Sequence, residues 1–395
     1  MILVLNCGST SVKYEVFDEL ESIAEGAVTD IAEEESGLWH SSRTGTVEET
    51  QHVADHSEAL EIVMEMMTHA DHGVVEAIED ITAVGHRVVH GGELSEPQLV
   101  DEAVKETIRK FSSVAPLHNP VNLAGMNAAE EILPDKPQVV VFDTAFHQTM
   151  PAKAYLYGLP YEFYEEYGIR KFGFHGISHE FVAREAAELL DVPFEEAQFI
   201  TCHLGGGCSM AAVRDGVSID TTMGFSPLEG LIMATRTGDV DPTVIQFLVN
   251  EHDFDVDDVF SVLNNESGLA GLSGIGEDMR KILRAREEGN ERAAIAIDAF
   301  TYRIKKYIGA YTAVLNDVDG IVFTAGIGEN AAPIREQSCD IPTLDVVVDK
   351  KANETTQSER AIISAAESAV PVAVIPTDEE LMIARETARI VSEMS

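Results

Sequence analysis

The sequence predicts an α/β protein built from two related halves. Short apolar runs with the alternation of β-strands end in turns rich in glycine or hydroxyl residues, and helical patterns lie between these runs. The first strand-and-turn pattern, near the N-terminus, recurs about two hundred residues later. Strands that alternate with helices are typical of α/β folds, and the recurrence indicates two halves of similar structure.

Three strand-and-turn segments carry this prediction. The first is a hairpin of Ile2 to Leu5 and Val12 to Phe17 around the turn Asn6 to Ser11. The second has the same order, with strands at 199–202 and 210–213 around the turn 203–209. The third, 320–330, is an apolar strand that ends in a glycine-rich turn.

Helical periodicity fills the intervals between the strands and completes the α/β alternation. The predicted helices are Ala59 to His69, Asp101 to Ser112, Asn122 to Ile132, Glu180 to Leu190, Asp241 to Asn250 and the long Glu291 to Leu315. We place the boundary between the halves just before the turn at Met150 and Pro151.

The chain carries a strong excess of negative charge, with 69 Asp and Glu residues against 27 Lys and Arg residues and a formal net charge of −42. Such a surface repels phosphate backbones and anionic lipids, so we expect neither nucleic-acid nor membrane partners. Repulsion among the carboxylates destabilises a compact state unless salt screens it, which favours a salt-rich cytoplasm. The alternative, an acidic protein at ordinary salt, stays open.

Cysteine usage and the N-terminal segment predict the compartment. The cysteines lie far apart without metal-ligand or disulfide spacing, which is typical of reduced thiols. The N-terminus lacks the basic flank of a signal peptide, and no apolar run is long enough to cross a membrane. We therefore expect a cytoplasmic protein. The cysteines are Cys7, Cys202, Cys208 and Cys339.

The glycine-rich turns point to phosphate binding. A single glycine turn is more often structural than functional, because tight hairpins also need glycine. Three of them together are typical of sites where backbone N–H groups surround phosphate oxygens. In the first hairpin, Ser9, Ser11 and Lys13 occupy alternate positions, so on an extended strand their side chains would point the same way.

Two such hairpins that close on a nucleotide are the arrangement of the sugar kinase, actin and Hsp70 group of folds. Nine blocks along the whole chain, in order, resemble the signatures of the acetate kinase family. The blocks are NCGSTSVK (6–13), GHRVVHGG (85–92), APLHNP (115–120), VFDTAFHQTMP (141–151), RKFGFHGISH (170–179), TTMGFSPLEGLIMATRTGDVDP (221–242), YRIKKYIGAY (302–311), IVFTAGIGEN (321–330) and IPTDEELMIARET (375–387).

The resemblance implies a two-domain kinase that transfers a phosphoryl group reversibly from ATP to acetate, giving ADP and acetyl phosphate. The implied domains are an N-terminal one of 1–149 plus 378–395 and a C-terminal nucleotide-binding and dimerisation domain of 150–377. Mg²⁺, or Mn²⁺ in its place, is the implied metal, and a homodimer is the implied assembly. Acetate is ionised at neutral pH, so the reaction needs cations for two anionic partners and no strong base.

The matching arginines receive the central roles, because a guanidinium fork suits both carboxylate and phosphoryl groups. Arg87 is assigned mainly to the acetate carboxylate and Arg236 to the phosphoryl group in transfer. By resemblance, His175 stabilises the transition state. Asp143 ends an apolar strand and is expected to orient either a metal-bound water or an arginine.

The remaining site residues follow from the resemblance alone. Asn6 and Glu379 are the implied metal ligands, and His118 matches a further histidine of the cleft. The implied acyl pocket consists of Val89, Leu117, Phe174 and Pro227. The implied nucleotide site consists of Ser9, Ser11, Lys13, His203, Leu204, Gly205, Gly206, Gly207, Asp278, Met279, Arg280, Gly326, Ile327, Gly328, Glu329 and Asn330.

The sequence departs from the family pattern in its second phosphate turn. Gly206 stands where acetate kinases usually carry asparagine, and butyrate kinases have three glycines there. The loss of an amide donor bears on the choice of phosphoryl donor and acyl substrate, so propionate and butyrate stay open as alternatives. A nucleotide-binding clamp without a small acceptor is the alternative of a different class, but such a clamp does not need two arginines at a carboxylate site.

Overall fold

The computed structural model describes residues 1–116 and 118–394. The chain forms two compact units, Met1–Gln148 with Asp378–Ser395, and Thr149–Thr377. The chain therefore leaves the first unit once and returns to it through its C-terminal segment.

The first unit is built on an eight-stranded sheet in the order β5-β4-β3-β2-β1-β6-β8-β7. Strands β1 to β5 form an antiparallel meander, β1, β6 and β8 run parallel, and β7 is antiparallel to β8. The strands are β1 Ile2–Gly8, β2 Ser11–Asp18, β3 Glu21–Thr29, β4 Ser36–Ser42, β5 Gly45–Gln51, β6 Ala83–Val88, β7 Gln98–Leu99 and β8 Gln138–Phe142.

Three helices of the first unit come from the N-terminal part of the chain, and the fourth comes from its C-terminal segment. They are α1 His56–Thr68, α2 Glu102–Lys110, α3 Asn119–Ile132 and α15 Glu379–Glu393. Helix α15 begins where the Asp378 carboxylate accepts a hydrogen bond from the Leu381 backbone N–H. The acidic side chains in its first turn, Glu379 and Glu380, complement the positive end of the helix dipole.

The C-terminal helix packs closely on the parallel part of the first sheet. At Gly85 in β6, a Cβ atom would lie 2.5 Å from Thr387 Oγ1 and 2.7 Å from Ile383 Cγ2. Only glycine permits this approach, because such distances are well below van der Waals contact. The fit of α15 on β6 therefore depends on one glycine.

The second unit contains a six-stranded sheet in the order β11-β10-β9-β12-β14-β13. Its strands are β9 Gln198–Leu204, β10 Cys208–Arg214, β11 Val217–Thr221, β12 Gly320–Thr324, β13 Ala361–Ile362 and β14 Val372–Val374. Its helices are α4 Ala152–Tyr155, α5 Tyr161–Tyr167, α6 Gly176–Leu189, α7 Thr243–Glu251, α8 Val256–Ser261, α9 Gly268–Ser273, α10 Met279–Glu287, α11 Glu291–Leu315, α12 Ala325–Asn330, α13 Ala332–Cys339 and α14 Lys350–Thr355.

The two sheets repeat one strand plan, which confirms the predicted α/β fold of two related halves. In the first unit, the antiparallel strands β3, β2 and β1 are followed by the parallel strands β6 and β8. In the second unit, β11, β10 and β9 are followed by β12 and β14 in the same way. Each half thus presents the carboxyl ends of three parallel strands at one edge of its sheet, where α/β proteins place their sites.

Two sequence predictions about the glycine-rich turns were wrong. The segment after β12 is not a turn but the short helix Ala325–Asn330. Glycine is a poor helix former, so the pattern Gly326 to Gly328 indicated a turn. Ser9 lies in the tight turn before β2 rather than on the strand, so only Ser11 and Lys13 of the three proposed side chains share a strand.

All four cysteines are buried and free. Over the part of the chain that the structure describes, no helix combines the length and apolar character needed to cross a membrane.

Candidate functional site

Four polar side chains meet at the carboxyl edge of the first sheet. Arg87 lies near the end of the middle strand β6, Asn6 lies in β1 on one side of it, and Asp143 follows β8 on the other side. Glu379 is the first residue of α15. These residues are far apart in sequence, and the parallel order β1-β6-β8 brings them together. We call this group the arginine cluster.

The Arg87 guanidinium is the centre of the arginine cluster. Its Nη2 donates to Asp143 Oδ2 at 2.5 Å and its Nε to Asp143 Oδ1 at 3.2 Å, so this pair is bidentate. Its Nη1 donates to Asn6 Oδ1 at 3.4 Å, and its Nε lies 3.3 Å from Glu379 Oε2. The Asp143 side chain is only 2% exposed and that of Arg87 is 21% exposed. Asp143 is therefore paired directly with an arginine.

Burial controls the electrostatics of the arginine cluster. Removal from water raises the pKa of the Asp143 carboxyl above its ordinary value, and the Arg87 guanidinium acts in the opposite direction. Burial by itself would lower the pKa of Arg87, but the neighbouring carboxylates outweigh this effect and raise the pKa above its ordinary value. When both carboxyl groups are ionised, the cluster has one more negative than positive charge and therefore an affinity for a cation.

A second group of three carboxylates lies beside the cluster and was not predicted from the sequence. Oxygens of Glu15, Asp378 and Glu380 lie within 4.8 Å of one another. Burial, and to a smaller degree the other two carboxylates, raise the pKa of Glu15 to about 7. In the sequence these residues are three of 69 acidic side chains, so composition alone could not have identified them.

Two predicted site histidines lie together in the second unit. The imidazole rings of His175 and His203 stack with their centroids 4.1 Å apart. His175 occupies the left-handed region, with φ of 58°, and is the N-cap of α6, while His203 lies in β9 before the glycine turn 205–207. A Cβ atom at Gly207 would lie 3.1 Å from the His175 ring and 3.7 Å from Arg236 Nη1. The glycine turn, the histidine and the arginine are thus neighbours.

Arg236 differs from Arg87 because no acidic side chain neutralises it. Its Nη1 donates to the carbonyl oxygen of Pro227 at 3.3 Å, and among residues 1–116 and 118–394 it forms no ion pair. Its loop is joined to the glycine turn, since the Ala234 backbone N–H donates to the Gly206 carbonyl at 3.1 Å. A half-buried cation without a carboxylate partner is suited to bind an anion.

A tyrosine missed in the sequence closes the loop that holds Pro227. The Tyr157 hydroxyl accepts a hydrogen bond from the Phe225 backbone N–H at 2.8 Å and donates to the Glu229 carboxylate. These contacts bridge both sides of Pro227, whose carbonyl in turn holds Arg236. No motif signals this contact, because Tyr157 lies outside the loop in sequence.

A pocket of about 730 Å³ opens beside the glycine turn in the second unit. It brings together many of the residues predicted to bind nucleotide, namely Gly205, Gly206, Asp278, Met279, Arg280, Gly326, Ile327 and Asn330. Its other lining residues, which were not predicted from the sequence, are Ala234, Glu277, Leu283, Ala331 and Gln357. A volume of this size suits a nucleotide-sized ligand.

The other predicted residues are distributed as follows. Glu329 turns inward, where its carboxylate accepts hydrogen bonds from Ser358 Oγ and the Thr377 backbone N–H. Val89 is buried in the first unit, and Phe174 is buried in the second. Leu117 lies outside the described residues. Leu204 is buried, Gly328 lies in α12, and Lys13 is exposed on β2.

Comparison with known proteins gives a consistent result over the full length. A sequence model of the acetokinase family matches residues 1–385. The acetate kinase of Halothermothrix orenii is 52% identical, over 99% of each chain. The crystal structure of Porphyromonas gingivalis acetate kinase superposes with a TM-score of 0.94 at 42% identity, over 99% of each chain. A propionate kinase from Francisella tularensis gives a TM-score of 0.92 at 38% identity, over 98% of this chain and 99% of that one.

Proposed function

Because the chain belongs to the acetokinase family, we infer that it transfers the γ-phosphoryl group of ATP to acetate, giving acetyl phosphate and ADP in a reversible reaction. The observation that supports this inference most strongly is the 52% identity to an acetate kinase over 99% of each chain. The enzyme is a phosphotransferase with a carboxyl group as acceptor.

Different residues supply positive charge to the two anionic partners of this reaction. Acetate and the transferred phosphoryl group are both anionic, so the barrier falls when cations lie at each of them. Arg236 forms no ion pair within residues 1–116 and 118–394, and it serves the phosphoryl group in transfer. Acetate brings its own negative charge, so no side chain has to remove a proton from it.

Arg87 was assigned to the acetate carboxylate, but it also contacts other side chains of the arginine cluster. Its guanidinium already contacts Asp143, Glu379 and Asn6, and the cluster has an excess of negative charge when both carboxyls are ionised. Arg87 can therefore bind the acetate carboxylate only when a cation offsets that excess. In this role, Arg87 connects the metal ligands to the acceptor.

The arginine cluster fits Mg²⁺ by its chemistry. Its donors are carboxylate and amide oxygens, which are the ligands that Mg²⁺ prefers, and they are few enough to leave room for water and phosphate oxygens. Glu379 and Asn6 would hold the ion. When bound, it neutralises charge on the phosphates of ATP. Replacement of Glu379 by glutamine should raise the Mg²⁺ concentration needed for half-maximal rate, whereas an unchanged requirement would exclude this residue as a ligand.

The nucleotide is assigned to the pocket of the second unit. The backbone N–H groups of the turn 205–207 would bind phosphate oxygens, and the segments 278–280 and 326–330 would hold the adenosine. Replacement of Leu283 by arginine would fill the pocket and should raise the KM for ATP without changing that for acetate. Equal changes in both values would contradict this assignment.

Acetate is proposed as the preferred acyl substrate, and propionate as the next. The alternative has a specific basis, since the propionate kinase from Francisella tularensis has nearly the same fold. One methylene group in an apolar pocket changes discrimination by about 1 to 3 kcal/mol, so propionate should react about 5-fold to 150-fold less efficiently.

Hydroxylamine trapping tests the activity directly, because it converts an acyl phosphate to a hydroxamate. The purified protein is incubated with ATP and Mg²⁺ in high KCl, with acetate, propionate or butyrate as the acceptor. We expect the largest kcat/KM with acetate. If none of the three acids yields a hydroxamate, the proposed function is wrong.

We propose a homodimer formed through the second unit. Neighbouring helices α7 and α8 expose large apolar side chains there, including Phe247 at 56% and Val256 at 51% of full exposure. Exposed apolar surface of this kind is typical of interfaces. Sedimentation should give twice the chain mass of 42.9 kDa, and Phe247→Asp should shift it to the monomer. A monomer at micromolar concentration in the unmodified protein would reject this assembly.

We also propose that the enzyme works in the cytoplasm, where ATP is available and thiols stay reduced. The four free cysteines are compatible with such an environment. Cell fractionation with activity measured in each fraction tests this location, and activity confined to an extracytoplasmic fraction would contradict it.

A further inference from the structure

Two hydrogen-bonded chains of hydroxyl groups and imidazoles end at the stacked histidines of the second unit. Both rings turn Nε2 toward the glycine turn: a Cβ atom at Gly207 would lie 3.2 Å from His175 Nε2, and one at Gly205 would lie 3.8 Å from His203 Nε2. The proton positions on these rings therefore decide what the rings can offer to an anion in that turn.

The first chain runs from Thr201 to His175 through buried residues. Thr201 Oγ1 lies 2.7 Å from His179 Nδ1, His179 Nε2 lies 2.7 Å from Ser209 Oγ, and Ser209 Oγ lies 2.8 Å from His175 Nδ1. Thr201, His179 and Ser209 are fully buried. Water therefore cannot satisfy their protons, and every proton of the chain needs an acceptor within it.

The number of hydroxyl protons determines which atom donates in each hydrogen bond of this chain. Throughout the described residues, Thr201 Oγ1 has no hydrogen-bond partner other than His179. If His179 donated to Thr201, the Thr201 proton would be buried without an acceptor, which is unfavourable. Thr201 therefore donates to His179 Nδ1, His179 Nε2–H donates to Ser209, and Ser209 donates to His175 Nδ1. A neutral His175 then has its proton on Nε2.

The second chain gives His203 the same tautomer from different residues. Thr377 Oγ1 donates to Ser178 Oγ at 2.7 Å. Ser178 Oγ lies 2.8 Å from His203 Nδ1 and has its own proton left to donate there. With Nδ1 as the acceptor, a neutral His203 also has its proton on Nε2.

We propose that Thr201, His179, Ser209, Ser178 and Thr377 are positioning residues that hold His175 and His203 as neutral Nε2–H donors, side by side, for the anionic oxygens of the transferred phosphoryl group. Two imidazolium rings stacked at 4.1 Å would repel each other, so a neutral pair is the stable arrangement. The pair can then donate two hydrogen bonds without a change in its own charge. This inference rests on the proposed kinase activity for its purpose, but the tautomers do not depend on it.

The tautomers can be measured without substrate. In the full-length protein labelled with ¹⁵N-histidine, the chemical shifts of Nδ1 and Nε2 distinguish the two neutral forms and the imidazolium. Signals of His175 and His203 are assigned by their absence in His175→Gln and His203→Gln. We expect Nε2–H in both rings at neutral pH. An Nδ1–H tautomer or an imidazolium in either ring would overturn the proposal.

A kinetic comparison tests the purpose of the first chain. Thr201→Val keeps the shape of the side chain but removes the donor, so we expect kcat to fall about tenfold or more while the KM for acetate stays within about twofold. Thr201→Ser restores the hydroxyl and should return kcat to near the original value. A rise in KM at unchanged kcat would contradict the positioning role.

The chain offers a matched control for the loss of a buried hydroxyl. Thr324 Oγ1, on the neighbouring strand, is buried and has no hydrogen-bond partner in the described part of the chain. Thr324→Val should leave kcat within about twofold. If Thr201→Val lowers kcat no more than Thr324→Val, the chain has no role in catalysis. Absence of a hydroxamate from the unmodified protein would instead reject the kinase activity and leave the tautomers standing.

Discussion

Removal of the guanidinium from the arginine cluster should destabilise the first unit strongly. Arg87→Ala leaves the Asp143 carboxyl, 2% exposed, without the bidentate partner that holds it at 2.5 and 3.2 Å. Breaking one side of a buried ion pair costs about 3 to 5 kcal/mol of unfolding free energy. With a urea m-value of about 2 kcal/mol/M, the midpoint should fall by about 1.5 to 2.5 M.

The single tryptophan makes the assay selective. Trp39 lies in β4 of the first unit, so its fluorescence reports unfolding of the unit that contains Arg87. Urea is the suitable denaturant because it leaves the ionic strength unchanged around a highly acidic protein. Constant salt in all samples keeps the screening of surface charge equal.

Two further variants separate a buried charge from a general effect of losing arginine. Arg43→Ala removes an exposed ion pair with Glu21, whose side chains are 70% and 79% exposed, and should cost less than about 1 kcal/mol. Asp143→Asn added to Arg87→Ala removes the stranded charge and should recover part of the loss. The reasoning is refuted if Arg87→Ala costs no more than Arg43→Ala, or if the double variant is no more stable than Arg87→Ala.

Three other outcomes follow from the charge, a buried histidine and the unusual glycine. Because the net charge is −42, the melting temperature should rise from about 0.1 M to about 2 M KCl, and no rise would reject the halophilic interpretation. Burial lowers the pKa of His86 from 6.5 to about 4, so on acidification the unfolded state takes up a proton before the folded state does, and the free energy of unfolding falls by about 2 kcal/mol between about pH 7.5 and pH 5. His86→Gln should remove this part of the pH dependence of the urea midpoint, and an unchanged pH dependence would contradict the assignment. Gly206→Asn meets no atom within 4 Å of its Cβ, so it should leave the melting temperature unchanged and lower the KM for ATP in initial-rate measurements, whereas an unchanged or higher KM would argue against an added phosphate donor.

The sequence predicted the parts of the fold that depend on local pattern. The helix Glu291–Leu315 has the predicted bounds, because a long amphipathic repeat begins at an asparagine cap and is not interrupted. The sequence did not predict the three strands β3, β4 and β5, since much of their surface is polar and exposed. A meander that faces water on one side lacks the apolar run by which buried strands are recognised.

Residues of the candidate site could be proposed from the sequence, but their contacts could not. Arg87, Asp143 and Glu379 were each assigned from their blocks, but nothing in the sequence shows that the two carboxylates share one guanidinium. The contacts of the Thr201 and Thr377 hydroxyl groups could not be predicted from the sequence either. They are ordinary strand and loop residues until the fold places a histidine or a serine next to them.

The return of α15 to the first unit has a consequence for synthesis on the ribosome. The whole second unit, Thr149–Thr377, is translated between β8 and α15. At about 5 to 20 residues per second, this interval lasts roughly 10 to 50 s. During that time the face of β6 at Gly85 lacks its covering helix, and Arg87 lacks Glu379. The nascent first unit therefore leaves this face of its sheet uncovered, and the arginine cluster cannot be completed until the second unit has emerged.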